Sequence, residues 1–419
     1  MPIRFYLESL GCKLNQCECD MLAQQVVAAG HTVVWEPEHA DVCVVNTCAV
    51  TRVAARKSRQ RMRHLRRTNP DARLVATGCS TGLTEDGLLA DLVVTNDRKD
   101  DLVSLVQDRW DVGGPTPLET PQHQHAVFRR TRPLVKIQDG CDNACTYCVV
   151  RLLRGRQRSR PRSEILGQVA GWVQQGYHEV VLTGVHVGAY GRDSGEDLAG
   201  LVRAILAASP PDRLRLSSIE PWDLQPDFLS LWQDPHLCRH LHLPLQSGCD
   251  ATLQRMNRRY TVAQFADLVA HARSAIPDLA VTTDVITGFP GETDREFAAS
   301  AEFVERVGFS RIHVFPYSER PGTPAATMSG QVDPRLRQER ARQIAAIGRR
   351  SGRAFRETLL GRTILVLWET RLGDGRWSGL TDHYVRVFAR SETELANVLR
   401  LTRLSGHEAD GLCGEVVDI

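Results

Sequence analysis

The chain has 419 residues, 42% hydrophobic and 24% charged, enough for two to four domains with a full core. Its formal net charge is only +2, which excludes attachment to nucleic acid by global charge and leaves local patches as the electrostatic route. No apolar run reaches membrane-spanning length and the first residues lack a signal-peptide pattern, so the sequence predicts a cytoplasmic protein with no membrane partner.

Twelve cysteines in that compartment point to metal or redox chemistry more than to disulfides. Of the 52 basic residues, four are lysine and 48 arginine, so arginine abundance alone says little about function.

Residues 1–115 alternate strand and helix patterns, the mark of a parallel α/β domain. Strands are expected at Ile3–Leu7, Thr32–Trp35, Val42–Val45, Leu74–Ala76 and Leu92–Thr95, with a helical pattern over Asp20–Ala29 closed by Gly30. Cys12, Cys48 and Cys79 each end a strand, and in an open parallel sheet those ends form the ligand-binding edge. They are either a three-cysteine iron–sulfur site or scattered structural thiols. Cys43 sits inside a strand as a small core residue, and Cys17 and Cys19, near a helix start, are incidental.

Residues 52–67 hold Arg52, Arg56, Lys57, Arg59, Arg61, Arg63, Arg66 and Arg67 and no acid, while Ala55, Ser58, Met62 and Leu65 recur at helical spacing. This is a basic helix with one buried stripe. Arg59, Arg63 and Arg66 are the candidates for phosphate contact, against a merely solvated face. Gly113-Gly114-Pro115, Pro117, Pro121 and Pro133 mark residues 116–132 as a linker in which His123 and His125 are exposed rather than metal-bound.

The stretch Gln138-Asp139-Gly140-Cys141-Asp142-Asn143-Ala144-Cys145-Thr146-Tyr147-Cys148 places three thiolates on one loop at C-x-x-x-C-x-x-C spacing. Such a loop holds three irons of a 4Fe–4S cube and leaves the fourth open to a small molecule such as S-adenosylmethionine (SAM). A zinc loop would need a further Cys/His pair, and none follows. Strands are expected at Leu134–Gln138, Glu179–Thr183, Leu214–Ser217, Leu241–Leu245, Ala280–Ile286 and Arg311–Phe315, with capping boxes at Thr261/Gln264 and Thr293/Glu296. Six β/α units over 133–357 suggest a partial (β/α)6 barrel with its chemistry at the carboxyl ends of the strands. The polar or glycine-rich ends include Thr183-Gly184-Val185-His186, Ser217-Ser218-Ile219-Glu220-Pro221 and Pro244-Leu245-Gln246-Ser247-Gly248.

Arg151, Arg154, Arg156, Arg158, Arg160 and Arg162 follow the cysteine loop without an acid. They either guide an anionic substrate or form an exposed arginine-rich loop. Residues 333–360 read as a long connecting helix. Residues 358–419 turn to short β runs that suggest a small barrel, where Arg371, Arg376, Trp377, His383, Tyr384 and Arg386 suit either nucleic-acid binding or packing.

Taken together, these motifs resemble the radical-SAM methylthiotransferases over essentially the whole length. The resemblance implies an N-terminal cluster held by Cys12, Cys48 and Cys79, a SAM-binding cluster held by Cys141, Cys145 and Cys148, and a C-terminal TRAM domain for RNA. Gly11-Cys12-Lys13-Leu14-Asn15, Asn46-Thr47-Cys48-Ala49-Val50-Thr51 and His242-Leu243-Pro244-Leu245-Gln246-Ser247-Gly248 look like the branch acting on threonylcarbamoyladenosine at position 37 of tRNA, beside the anticodon. The branch acting on isopentenyladenosine and the one acting on a ribosomal-protein aspartate usually differ after the first cysteine. A non-catalytic iron–sulfur RNA-binding redox sensor is the remaining alternative. Ala144, Arg151 and Cys17 depart from the family's usual residues and touch loop packing and substrate fit.

The implied chemistry cleaves SAM to a 5′-deoxyadenosyl radical that takes hydrogen from carbon 2 of the adenine. Sulfur comes through the second cluster, and a second SAM supplies the methyl group. Tyr147, Gly184, Val185, Glu220 and Gln246 are the candidate SAM or substrate contacts. The implied partners are tRNA, a reducing donor such as a flavodoxin or ferredoxin, and a sulfur donor system.

Overall fold

The computed structural model describes residues 2–82, 88–111 and 130–417. The linker expected at 116–132, with His123 and His125, therefore lies outside the described residues except for 130–132. The chain divides into two compact units. One comprises Met1–Arg129, Asp139–Gln157 and Ser318–Ala326, and the other Arg130–Gln138, Arg158–Tyr317 and Thr327–Ile419.

The first unit is built on strands β1 (Arg4–Ser9), β2 (Thr32–Val34), β3 (Val42–Thr47), β4 (Arg73–Gly78) and β5 (Leu92–Val93), in the order β2-β1-β3-β4-β5. All four pairings are parallel. Strand β3 is buried along its whole length, as a central strand covered on both faces must be. One face packs Phe5, Val42, Val44 and Val75 against Leu22 and Val26 of α1 (Lys13–Ala28) and Leu102 and Val106 of α3 (Leu102–Trp110). The other packs Cys43, Val45, Leu74 and Ala76 against Met62 and Leu65 of α2 (Arg52–Thr68). Helix α2 buries Ala55, Ser58, Met62 and Leu65, the stripe read from its spacing, and Thr51 caps its first turn by accepting from the Ala54 amide.

Residues 139–157, expected to belong to the 133–357 core, pack with this first unit instead. Val149 and Leu153, at the start and near the end of the short helix α4 (Val150–Arg154), lie in one apolar cluster with Ala49 and Cys79.

The second unit holds six parallel-type strands in β/α succession: β6 (Leu134–Asp139), β8 (Glu179–Gly184), β9 (Arg213–Leu216), β10 (His240–His242), β11 (Ala280–Thr287) and β12 (Arg311–Pro316). The short β7 (Arg158–Ser159) flanks β6. The ladder runs β6-β8-β9 and β10-β11-β12, joined between β9 and β10 by single bridges such as Ser218 to His242. The Thr261 and Thr293 capping boxes are both formed. A 24-residue helix, Pro334–Glu357, leads to a closed five-stranded barrel ordered β13-β14-β15-β17-β16. Its strands are β13 (Thr363–Arg371), β14 (Trp377–Thr381), β15 (Arg386–Ala389), β16 (Val398–Glu408) and β17 (Gly411–Val416). Strand β14 has no counterpart among the strands expected from sequence, since Gly379 and Ser378 break its β pattern. No described helix is long and apolar enough to cross a membrane.

Buried arginines fasten this barrel to the strands of its own unit. Arg213 donates to the carbonyls of Leu380 at 2.9 Å and Leu365 at 2.5 Å. Arg215, fully buried, donates to the Asp382 carbonyl at 2.9 Å and to Glu179 Oε1 at 2.6 Å. Burial opposes the Glu179 charge, but Arg215, Arg132 and Arg213 outweigh it and hold that carboxyl below its usual range. Several residues read as possible nucleic-acid contacts are structural. Trp377 and His383 are buried, Arg376 pairs with Asp374 and Glu408, and the Tyr384 ring lies 4.7 Å from the Arg215 guanidinium.

Replacing Glu179 by Gln leaves Arg213 and Arg215 without their anion, while Arg132 keeps Glu369 at 2.8 Å. It is expected to lower stability by about 3–5 kcal/mol, the cost of breaking a buried pair, seen as a lower thermal midpoint of the anaerobic holoprotein. The Glu179 contribution is complete above the usual glutamate pKa of ~4.3. It is lost as pH falls through the depressed folded value, so the gap between wild type and Glu179→Gln should close in acid.

Candidate functional site

In a sheet ordered β2-β1-β3-β4-β5 the direction of winding reverses between β1 and β3, and ligands bind outside the carboxyl ends at that point. Cys12 follows the end of β1, Cys48 follows β3 and Cys79 follows β4. These strands are neighbours spaced ~4.8 Å apart, so three cysteines distant in sequence gather at one edge. Cys48 and Cys79 are buried, and Cys12 faces outward as the N-cap of α1. Gly11 has φ +103°, and a Cβ there would stand 2.7 Å from Cys48 Sγ, so only glycine lets the Cys12 turn close over Cys48.

Polar side chains fix the Cys48 backbone from two sides. Ser58 Oγ accepts from its amide at 3.1 Å and donates to its carbonyl at 3.2 Å, and Ser80 Oγ donates to the same carbonyl at 3.1 Å. Burial pushes the Cys48 thiol up to about 11, and the charges of Cys79 and Cys12 add to the rise. Burial also raises Cys79, with Arg154 opposing. Three thiolates so placed need a cationic centre among them, and a metal cluster supplies one.

The second triad lies on the loop that leaves β6. Asp139 Oδ1 accepts from the Gly140 amide at 2.8 Å, and the Cys141 amide donates to the Gly155 carbonyl at 3.1 Å. Gly140 has φ +69°, and a Cβ there would lie 1.9 Å from the Arg156 carbonyl oxygen, so the two ends of the loop close on each other. The Asn143 amide points at Cys141 Sγ, 3.4 Å away, and the Cys148 amide donates to the Cys145 carbonyl at 3.1 Å. All three thiols are half-buried, so the loop is tied down while its sulfurs stay accessible.

Among the described residues, no three His, Cys, Asp or Glu side chains form a ready single-ion site. A cube takes each thiolate on a different iron and spreads its ligands wider than one tetrahedral ion does. Both triads offer thiolates only, which is the donor set of a cube. Cys17 and Cys19 are buried within α1, and Cys43 lies in the core.

The expected contacts at the strand ends of the second unit have local reasons. Gly184 lies against Gln138, whose Oε1 accepts from the His186 amide at 2.9 Å. Val185 beside it is half-buried, as is Tyr147 in the cysteine loop. Gln246 adopts φ +65°, rare for a residue with a side chain, and such outliers gather at functional sites. Glu220 has both carboxylate oxygens engaged by the buried Arg258, whose guanidinium stacks 4.6 Å from the Trp222 ring. Glu220 thus holds Arg258 in place. Sequence patterns do not reveal Arg258 or Trp222. Nor do they reveal the buried pair of His186 Nε2 with Asp223 Oδ2, 2.6 Å apart. His186 is visible in its strand-end motif, but its partner lies 37 residues away and only the fold joins them.

Two of the arginines expected on RNA are engaged elsewhere. Arg66 donates to Asp91 at 2.7 Å and to the Ala72 carbonyl, closing α2 onto the sheet. Arg154 is buried, with Glu18, Asp139 and Asn15 as its partners. Arg63 and Arg158 are exposed, Arg59 is half-buried, and the Arg156 side chain is 88% exposed.

The radical SAM superfamily profile matches residues 135–304, and that of the uncharacterized protein family UPF0004 matches residues 4–96. The chain is 37% identical to the threonylcarbamoyladenosine tRNA methylthiotransferase MtaB of Thermotoga maritima, over 91% of this chain and 90% of that protein. It is 37% identical to the protein of the same name from Chlamydia pneumoniae, over 99% and 98%. Among solved structures, the radical SAM methyltransferase TsrM of Kitasatospora setae superposes with a TM-score of 0.59 at 15% identity, covering 78% of this chain and 77% of that one, a likeness of fold.

Gly11→Ala should cost the N-terminal cluster alone and Gly140→Ala the loop cluster alone. Each should leave about four of the eight irons expected for two cubes, counted after anaerobic reconstitution. Triple replacement of Cys141, Cys145 and Cys148 by alanine should match the Gly140→Ala count.

Proposed function

The chain belongs to the radical-SAM methylthiotransferases, and from that premise we propose that it converts threonylcarbamoyladenosine at position 37 of tRNA to its 2-methylthio form. The observation that carries the reading is the pair of cysteine triads, one at the sheet's switch point and one on the loop after β6, in a chain alike over nearly its full length to proteins named for that substrate. When bound, two 4Fe–4S clusters and SAM supply reductive radical cleavage, the inserted sulfur and the methyl group.

The chain's own residues bind and orient. Cys141, Cys145 and Cys148 would hold the cluster that binds SAM, with Tyr147, Gly184, Val185 and Gln246 as SAM contacts. Cys12, Cys48 and Cys79 hold the other. A base must be unstacked to meet a radical, and an anticodon-loop nucleotide is easier to expose than a paired one. The threonyl carboxylate adds a negative charge that the exposed Arg156 and Arg158 suit, whereas an isopentenyl group would want an apolar pocket. Arg59 and Arg63 of α2 take the tRNA backbone, and the C-terminal barrel acts as a TRAM-like RNA-binding domain. The setting is the cytoplasm, with a flavodoxin or ferredoxin as reductant and a separate sulfur donor system.

The deciding experiment incubates reduced, reconstituted protein with SAM and sulfide on tRNA carrying either modified adenosine. Methylthiolation of the threonylcarbamoyl form is expected. Reaction with the isopentenyl form alone, or only with a ribosomal protein, would assign the chain to a different branch. Reversing Arg59 and Arg63 to glutamate should weaken tRNA binding and flatten its salt dependence, the log–log slope falling by roughly 0.7–0.9 for each phosphate left without its cation. Iron content should be unchanged. Equal affinity and slope in wild type and variant would make α2 a solvated face.

A further inference from the structure

Arg154 belongs to the helix that follows the SAM-loop cysteines, yet its guanidinium is buried among residues of the other triad. Nη1 donates to Glu18 Oε1 at 2.7 Å and to Asp139 Oδ1 at 3.0 Å, and Nη2 donates to Asn15 Oδ1 at 2.8 Å and Glu18 Oε2 at 3.1 Å. Asn15 in turn donates to the Leu10 and Thr47 carbonyls, just ahead of Cys12 and Cys48. Lys99, also buried, donates to Glu18 Oε2 at 2.5 Å and to Asn46 Oδ1 at 3.3 Å. Asn15 and Glu18 lie in the first two turns of the helix that Cys12 caps, so the two buried cations sit beside the triad, and the charge of each favours the Cys79 thiolate. Leu153 packs on Cys79 as well.

We propose that Arg154 is a positioning residue that, together with Lys99, sets the reduction potential of the cluster held by Cys12, Cys48 and Cys79. The proposal rests on the cluster assignment above. Reduction adds one negative charge to a cluster. A buried cation beside the cluster stabilises that reduced state and raises the potential. The same guanidinium grips Asp139, the residue that pins Gly140 ahead of Cys141, so the loop of one triad supplies the charge that tunes the other.

The test uses the full chain with Cys141, Cys145 and Cys148 replaced by alanine, which isolates the N-terminal cluster. About four irons in that background establish the cluster, and their absence would overturn the assignment itself. The midpoint potential is then read by redox titration followed by electron paramagnetic resonance. Arg154→Gln and Lys99→Met should each shift it to more negative values with iron content kept, and Arg154→Lys, which keeps the charge, should shift it less than Arg154→Gln. If Arg154→Gln loses its iron, Lys99→Met and Arg154→Lys carry the same comparison. An unchanged midpoint in iron-replete variants would overturn the proposal. So would loss of the cluster from all three variants, because the cations would then build the site rather than tune it.

Discussion

A guanidinium and a carboxylate removed from water hold the first unit together at its ligand-binding edge. Such a pair costs several kcal/mol of desolvation per ion unless every donor and acceptor is used, and the Arg154–Glu18 pair uses nearly all of them. Glu18 accepts from Arg154, Lys99 and Asn46, while Arg154 reaches Glu18, Asp139 and Asn15. Burial works against the Arg154 charge, yet Glu18, Cys79 and Asp139 raise its pKa well above the ordinary value, so the cation is permanent. The ends of β1 and β3, through Asn15, and the start of the SAM loop, through Asp139, are tied to this one side chain. An apolar replacement could fill the volume but could not direct those chain ends.

Much of this is legible in the sequence because it is carried by local signals. Strand ends are marked by glycine before Cys12 and Cys79, helix starts by Thr51, Thr261 and Thr293, and the buried stripe of α2 by its spacing. The six cysteines are legible for the same reason, since each follows a strand end or belongs to one dense motif. Pairings across the fold are not. Glu18 and Arg154 are 136 residues apart, and Arg258 meets Glu220 from 38 residues away. A local pattern shows that a residue is charged, while the fold alone shows what neutralises it. That is why the sequence shows Arg66 and Arg154 only as cations, while the fold shows the first paired with Asp91 and the second buried on Glu18, Asp139 and Asn15.

Arginine serves two ends in this chain, and its planar fork explains both. Arg213 and Arg215 turn it on backbone carbonyls of the C-terminal barrel, which a compact ammonium would satisfy less well. Through them the barrel becomes part of the unit that also contains the β/α strands, so an RNA-binding role for it would be exercised from a fixed support. The exposed arginines of α2 and of the segment after the cysteine loop present the same fork outward, where phosphates and carboxylates are its natural partners.

Both units solve the same problem at the carboxyl ends of parallel strands. Each places chemistry-bearing residues where backbone direction, not side-chain reach, brings them together. That choice demands backbone conformations most residues avoid, which accounts for positive φ at Gly11, Gly140 and Gln246. The two glycines are forced by contacts under 3 Å. Gln246 has no such steric excuse, because a left-handed glutamine is strained wherever it occurs. Its amide donates to the Asp284 carbonyl and its carbonyl accepts from the Ile286 amide, so the strand beside it holds the conformation in place. Strained residues of this kind gather at functional sites. That makes Gln246 a stronger candidate for ligand contact than Glu220, whose carboxylate is already spent on Arg258.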